Sequence, residues 1–520
     1  MRTMLSALAL VLAGTALAGP SAAQQTADAP ATVIVHGDTP APKFDRRLFG
    51  QFAEHLGTGI YGGIWVGTGS KVPNVQGYRR DVIDALKAIR VPVIRWPGGC
   101  FADEYHWREG IGPRAKRPVK INTHWGGVTE DNAVGTHEFM NYSELVGAEP
   151  YVSGNVGNGT PAEMAEWVEY MTSPTGSSLA KERAANGRKA PWKLTMFGLG
   201  NELWGCGGSM RPEYAADLTR RYGTFVKMPE GQKVMKIASG ANSDDTNWTE
   251  VMMRDAGRAF DGIGVHYYTV PGTWGKKGAA TGFDEDGWAV TLSKTLKMDQ
   301  IITDHARIMD KYDRDKRVAL LVDEWGTWYD VEPGTNPGFL YQQNSLRDAI
   351  VTSLNFDIFA KHTDRLRGAN IAQMVNVLQA LILTDGARMV KTPTYWVFDL
   401  YKDYQDGIVL PVEVSSRWYN RNQWVMKAVS ASAVRGVDGA VHMGLTNVDP
   451  NRPATVSVTL AGVGGAAVTG RILTAQAMDA HNTFDAPDAV KPVAFTGATL
   501  AGGTVSVTLP PKSVVMLDIR

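Results

Sequence analysis

The sequence predicts a (β/α)8 TIM barrel with a C-terminal antiparallel β-sandwich domain, and three observations predict it. Between residues 46 and 405, β-rich runs alternate with amphipathic helical stretches in eight units, the number that closes a parallel barrel. After about Gly407 the texture changes to short alternating runs broken by Gly, Pro, Asn and Asp, as in a sandwich. The 520 residues are too many for one small domain and suit a barrel plus a second module.

Strands are expected at 48–54, 93–96, 150–155, 194–202, 234–239, 262–267, 318–324 and 369–375. Helices lie between them. In 79–90, Val82, Leu86 and Ile89 fall on one apolar face. Other helices start near His137, Pro161, Pro212, Asn247, Leu292 and Leu346, and the last covers 393–404. Pro161 and Pro212 suit a first helical turn, where a missing N–H costs little. An open doubly wound sheet would carry a Gly-rich phosphate loop after its first strand, and 48–63 has none of the usual form. The sandwich, 406–520, draws on runs at 439–447, 454–460, 469–473 and 504–509. The segment 24–45 is expected to join it through the alternating 32–35.

Residues 1–23 read as a signal peptide: Arg2, an apolar run at 5–18, then Ser21-Ala22-Ala23. A periplasmic or secreted protein follows as the expectation, with no membrane contact once the signal is removed. Lys+Arg and Asp+Glu both number 53, so nothing suggests a nucleic-acid or polyanion partner. Fifteen Trp and seventeen Tyr suit flat sugar-binding faces, but they equally suit a large core. Cys100 and Cys206 either pair or stay buried as thiols, and their spacing leaves both open.

Active sites of such barrels lie at the C-terminal ends of the strands. Polar residues end the predicted runs: Glu54, Arg95, Asn201 with Glu202, His266, Glu324 and Gln373. Packing alone does not explain such a ring, since a buried unpaired charge is costly. Glu202 and Glu324 end the fourth and seventh runs. Acetal hydrolysis needs a proton donor for the departing oxygen and a nucleophile or base for the anomeric carbon, and two facing glutamates supply both. Carboxyl groups about 5–5.5 Å apart would make Glu324 a nucleophile; a wider gap would make it an activator of water.

With these residues in view, the chain resembles the α-L-arabinofuranosidases of glycoside hydrolase family 51. The resemblance rests on Phe49-Gly50-Gln51-Phe52-Ala53-Glu54-His55-Leu56-Gly57, Tyr61-Gly62-Gly63, Arg95-Trp96-Pro97-Gly98-Gly99 and Gly112-Pro113. It continues through Gly200-Asn201-Glu202, His266-Tyr267-Tyr268, Asp323-Glu324-Trp325 and Ala372-Gln373-Met374-Val375-Asn376. It implies a retaining, exo-acting α-L-arabinofuranosidase working on arabinan, arabinoxylan or arabino-oligosaccharides. It implies Glu202 as general acid/base, Glu324 as nucleophile, and Asn201 as partner of the sugar's 2-hydroxyl. Glu54, Tyr268 and Gln373 would hold the furanose, Trp328 would line the site, and Arg95 and His266 would support the two glutamates. Many relatives carry Asn where this chain has Cys100, which puts a sugar contact from that position in doubt. A bridge from Cys100 to Cys206 across the rim is conceivable. Oligomers are common in the family.

No cofactor and no metal are expected, because the ten His show no ligand spacing. The rival readings are a β-xylosidase or endo-β-glucanase on the same barrel, and a carbohydrate-binding protein without catalysis. The intact glutamate pair, with Asn201 and Arg95, argues against the last.

Overall fold

Eight parallel strands close into a barrel in this computed structural model, which describes residues 30–39, 42–174 and 176–520. In chain order they are β1 (Gly50–Phe52), β2 (Val93–Trp96), β3 (Glu149–Gly154) and β4 (Met196–Leu199). Then come β5 (Met235–Asn242), β6 (Gly262–Thr269), β7 (Ala319–Thr327) and β8 (Leu366–Ile371), which pairs back onto β1. Each strand neighbours its predecessor, so the crossover helices form the outer ring. Pro161 and Pro212 each begin a helix, Pro161–Thr172 and Pro212–Phe225. The lower interior is filled by Val93, Tyr151, Met196, Ile237, Ala319 and Leu321, a packed plug that leaves the chemistry to the upper mouth.

Departures from the expected elements have local causes. β1 is only three residues long, because Arg46–Phe49 form a 3-10 turn below it and Ala53-Glu54 leave the ladder above it. β4 stops at Leu199, because Gly200 has φ 82° and Glu202 has φ 42°, values no strand accommodates. β8 begins earlier than expected and ends before Gln373. The helix placed near Leu292 is two helices, Glu285–Thr295 and Lys297–Tyr312, and Ser178–Ala185 is a helix not anticipated.

The second module stacks two sheets. One has the order 412–415, 31–36, 454–461, 504–509, 498–501, and the other 408–410, 429–435, 441–447, 513–519, 468–473, 493–494. Their ladders are antiparallel except where Ala31–His36 runs parallel to Ala454–Ala461. Period-2 alternation sends Val33, Val35, Val456, Val458, Val505 and Val507 inward against Met443, Leu445, Val515 and Leu517. The helix Leu346–Lys361 is buried along nearly its whole length between barrel and sandwich. Its Asp357 accepts hydrogen bonds from Ser430 and Ser432 of the sandwich. The expected signal peptide, 1–23, lies outside the described residues. Among those described, no helix is long and apolar enough to cross a membrane.

Candidate active site

Glu202 reaches the mouth because the chain abandons β4 in a turn, and its own left-handed φ of 42° is a conformation non-glycine residues seldom adopt. Glu324 sits within β7, paired in register with His266 of β6 after a one-residue shift in the ladder. That shift turns both side chains to the same side. His266 Nδ1 lies 2.9 Å from Glu202 Oε1 and 3.5 Å from Glu324 Oε2. The facing atoms of all three residues lie within 4.8 Å of one another. The side chains of Glu202, Glu324 and His266 are 18%, 6% and 7% exposed, so their charges act on one another with little screening by water.

Their surroundings drive the two carboxyls apart. Burial raises the proton affinity of Glu202, and the negative charge of Glu324 adds to it against the hydrogen bond with His266. Burial would raise Glu324 too. There the charges of His266 and Arg95, with hydrogen bonds from Arg95 and Tyr268, bring it below its ordinary value. Arg95 Nη1 donates to Glu324 Oε1 at 2.8 Å, and the Tyr268 hydroxyl donates to Oε2 at 2.7 Å. Burial opposes the charge of His266, but the two carboxylates raise its affinity for a proton. The three groups titrate as a unit.

Arg95 also donates from Nη2 to the side-chain oxygen of Asn201, and its guanidinium lies over the Phe52 ring. With that oxygen occupied, Asn201 Nδ2 is buried and finds no partner among the described residues. Behind Arg95 stands Asp323, held by the Tyr151 hydroxyl and by Asn370 Nδ2, both at 2.8 Å. Glu54 accepts from the Phe101 N–H at 3.1 Å, Trp125 Nε1 at 2.8 Å and Gln373 Nε2 at 3.2 Å. Burial pushes its carboxyl up to about 7, and the nearby charge of Glu324 adds to this. The Tyr268 ring meets Trp328 edge-on at 5.0 Å, and Trp328 meets the exposed Trp274 at 5.2 Å. An aromatic wall thus runs from Glu324 out to solvent.

Cys100 is bridged to Cys206, with 5.5 Å between their Cα atoms. It therefore has no free thiol to offer a sugar, and of the two states left open for these cysteines the structure shows the bridge. The Cys206 sulfur lies 3.6 Å from Glu202 Oε2, so the bridge flanks the carboxyl. Two clusters among the described residues bring three donor atoms close enough for a metal ion. In one the sulfurs are spent on the disulfide. In the other, Glu202–His266–Glu324, His266 Nδ1 already faces both carboxyls, at 2.9 and 3.5 Å.

Trp125, Asp103 and Tyr151 were not singled out from sequence, and Asp323 entered only within the Asp323-Glu324-Trp325 motif, with no role. Trp125 and Asp103 lie in the irregular segment after β2, where no periodicity marks them. Asp323 and Tyr151 read as ordinary members of apolar strands.

A barrel whose mouth gathers two carboxyls of opposed proton affinity around one histidine defines a glycoside hydrolase. Comparison with known proteins narrows this. Residues 85–285 match the alpha-L-arabinofuranosidase 1 domain, and residues 323–513 match the alpha-L-arabinofuranosidase C-terminal domain. An intracellular exo-alpha-L-arabinofuranosidase of Bacteroides ovatus is 52% identical, over 94% of this chain and 96% of its own. The crystal structure of the GH51 arabinofuranosidase from Xanthomonas axonopodis pv. citri superposes with a TM-score of 0.94 at 60% identity, covering 94% of this chain and all of that one. That of the Thermotoga maritima α-L-arabinofuranosidase in an arabinose complex gives 0.83 at 29% identity, covering 94% and 99%. The chain belongs to glycoside hydrolase family 51, the α-L-arabinofuranosidases. The β-xylosidase and endo-β-glucanase readings are not favoured.

One expectation is overturned. The relative from B. ovatus is named intracellular, which points away from the periplasmic or secreted location read from the first 23 residues.

Proposed function

We propose that this chain removes terminal α-L-arabinofuranosyl residues with retention of configuration, Glu202 acting as general acid/base and Glu324 as nucleophile. One observation carries the reading. The two carboxyls, with His266 between them, have facing atoms within 4.8 Å, near the spacing of retaining enzymes and too close for a water to be activated between them. The exo preference draws support from the name of the B. ovatus relative.

In the first step Glu324 attacks the anomeric carbon while the bond to the leaving oxygen breaks, and that oxygen takes the proton of Glu202. Esterification removes the negative charge from Glu324. Glu202, now anionic, has lost the neighbour that raised its proton affinity. Burial still favours its neutral form, so it draws a proton from water. The water oxygen attacks the anomeric carbon, the ester bond breaks, and Glu324 leaves as a carboxylate. Two inversions restore the starting configuration. The unpaired Nδ2 of Asn201 is a donor suited to the sugar's 2-hydroxyl, a bond that strengthens as the oxocarbenium develops. Glu54, Gln373 and Tyr268 hold the remaining hydroxyls, and Trp328 packs against the ring.

Proton NMR of the first-formed sugar tests the reading, alongside hydrolysis of nitrophenyl α-L-arabinofuranoside, β-D-xyloside and β-D-glucoside. The α anomer should appear first, from the arabinofuranoside. Glu324→Ala should lose on the order of 10⁴-fold in kcat. First appearance of the β anomer, or full activity in that variant, ends the proposal.

A further inference from the structure

The mechanism above gives no part to Asp103, a buried carboxylate beside the site. Asp103 is 4% exposed and lies on the 3-10 turn Cys100–Glu104 that follows β2. Its Oδ2 accepts the backbone N–H of Asn201 at 2.7 Å, and its Oδ1 accepts those of Val156 and Gly157 at 2.8 and 2.9 Å. One side chain therefore ties together the segments that leave β2, β3 and β4.

The bond to Asn201 occupies a particular place. Gly200 still donates to Gly154 of the neighbouring strand segment, at 3.2 Å. At Asn201 the donor passes from the sheet to Asp103, between two residues in the left-handed region, Gly200 and Glu202. The carboxylate thus supplies the acceptor that the sheet no longer provides where the chain must turn. No backbone carbonyl could replace it, because three N–H groups converge on two oxygens of one group. The far side of the turn is held just as closely. Gly207 has no room for a Cβ, which would lie 2.0 Å from the Asn201 oxygen and 2.8 Å from Asp103 Oδ2. Asp103 grips this loop near its start, and Cys100, three residues earlier, is bridged to Cys206 near its end.

We propose that Asp103 is a positioning residue for proton transfer, holding the Asn201–Glu202 turn so that the Glu202 carboxyl meets the leaving oxygen. The proposal rests on Glu202 being the acid/base, and its effect should fall on the proton, not on attack by Glu324 from β7.

The test separates these by leaving group. kcat/KM is measured on an arabino-oligosaccharide, whose departing alkoxide needs a proton, and on 2,4-dinitrophenyl α-L-arabinofuranoside, whose phenolate does not. Wild type, Asp103→Asn, Asp103→Ser and Glu202→Ala are compared, each confirmed folded by circular dichroism. Displacement of the carboxyl by about 1 Å should cost Asp103→Asn and Asp103→Ser tenfold or more on the oligosaccharide. On the activated substrate the loss should stay within about threefold, since general-acid assistance is not drawn upon. Equal losses on both substrates, or none on either, overturn the proposal. So does failure of both Asp103 variants to fold, which assigns the carboxylate to the scaffold alone. Glu202→Ala is the reference. If it shows no leaving-group dependence, the acid/base reading fails, whatever the Asp103 variants do.

Discussion

Arg95 Nη1 stands 2.8 Å from Glu324 Oε1 in a pocket where the first side chain is 1% exposed and the second 6%. The same guanidinium holds Asn201, so one cation both keeps Glu324 ionised and orients the residue beside Glu202. An ion pair this deep is governed by its partners, because water contributes little screening.

The pH profile reports this pair. Glu324 must be ionised for attack, so the acid limb of kcat/KM follows its lowered proton affinity, and the alkaline limb follows the raised affinity of Glu202. Arg95→Met should move the acid limb upward by about one to three pH units. Arg95→Lys keeps the charge but cannot fork to both partners, so it should lower the rate with a smaller shift. An unmoved acid limb in Arg95→Met would show that the limb belongs to another group.

Tyr268→Phe removes one hydrogen bond to charged Glu324 and leaves the ring against Trp328. A bond to an ionised acceptor contributes about 1.5–3 kcal/mol, so kcat/KM should fall roughly 10- to 100-fold. The acid limb should again shift upward. Steady-state kinetics across pH measures both.

Glu54 offers a stability test. Its carboxyl is raised from 4.5 to about 7 in the folded protein, so folding favours the protonated form. That contribution is complete below about pH 4.5 and is lost as pH rises through 7. Glu54→Gln is neutral throughout. The Tm difference, wild type minus variant, should therefore decline between pH 5 and 8 and then level off. A difference that stays constant with pH refutes the assignment.

The bridge between Cys100 and Cys206 closes a loop of roughly 100 residues, which should stabilise the fold by about 2–4 kcal/mol. The Cys100→Ser, Cys206→Ser double variant should melt at a lower temperature. It should also lose activity well below that temperature, since one end of the loop carrying Glu202 is released. Calorimetry and activity measured on the same sample separate the two effects.

Legibility differed from residue to residue, for physical reasons. β2 coincides with its expected bounds, because parallel strands buried on both faces leave an unbroken apolar run such as Val93-Ile94. β8 was displaced because Arg365 and Arg367 flank its start with charge, while the apolar Met374-Val375 that read as strand follows its end. Glu202 and Glu324 were conspicuous, as carboxylates closing apolar runs. Asp103 was not, since its partners are backbone N–H groups of distant segments, and no side-chain pattern marks a peptide donor. Trp125 gains meaning only when the chain brings it to Glu54.

The strand Ala31–His36 sits between 412–415 and 454–461, which sets a timetable for the newborn polypeptide. About 420 residues must leave the ribosome before its parallel neighbour exists. At roughly 5–20 residues per second, that is a wait of about 20–80 s. For most of it, two unpaired strand edges stand open to any competing partner, so the barrel must mature while its tether waits. Translation speed and chaperone supply should therefore bear on how much enzyme a cell recovers.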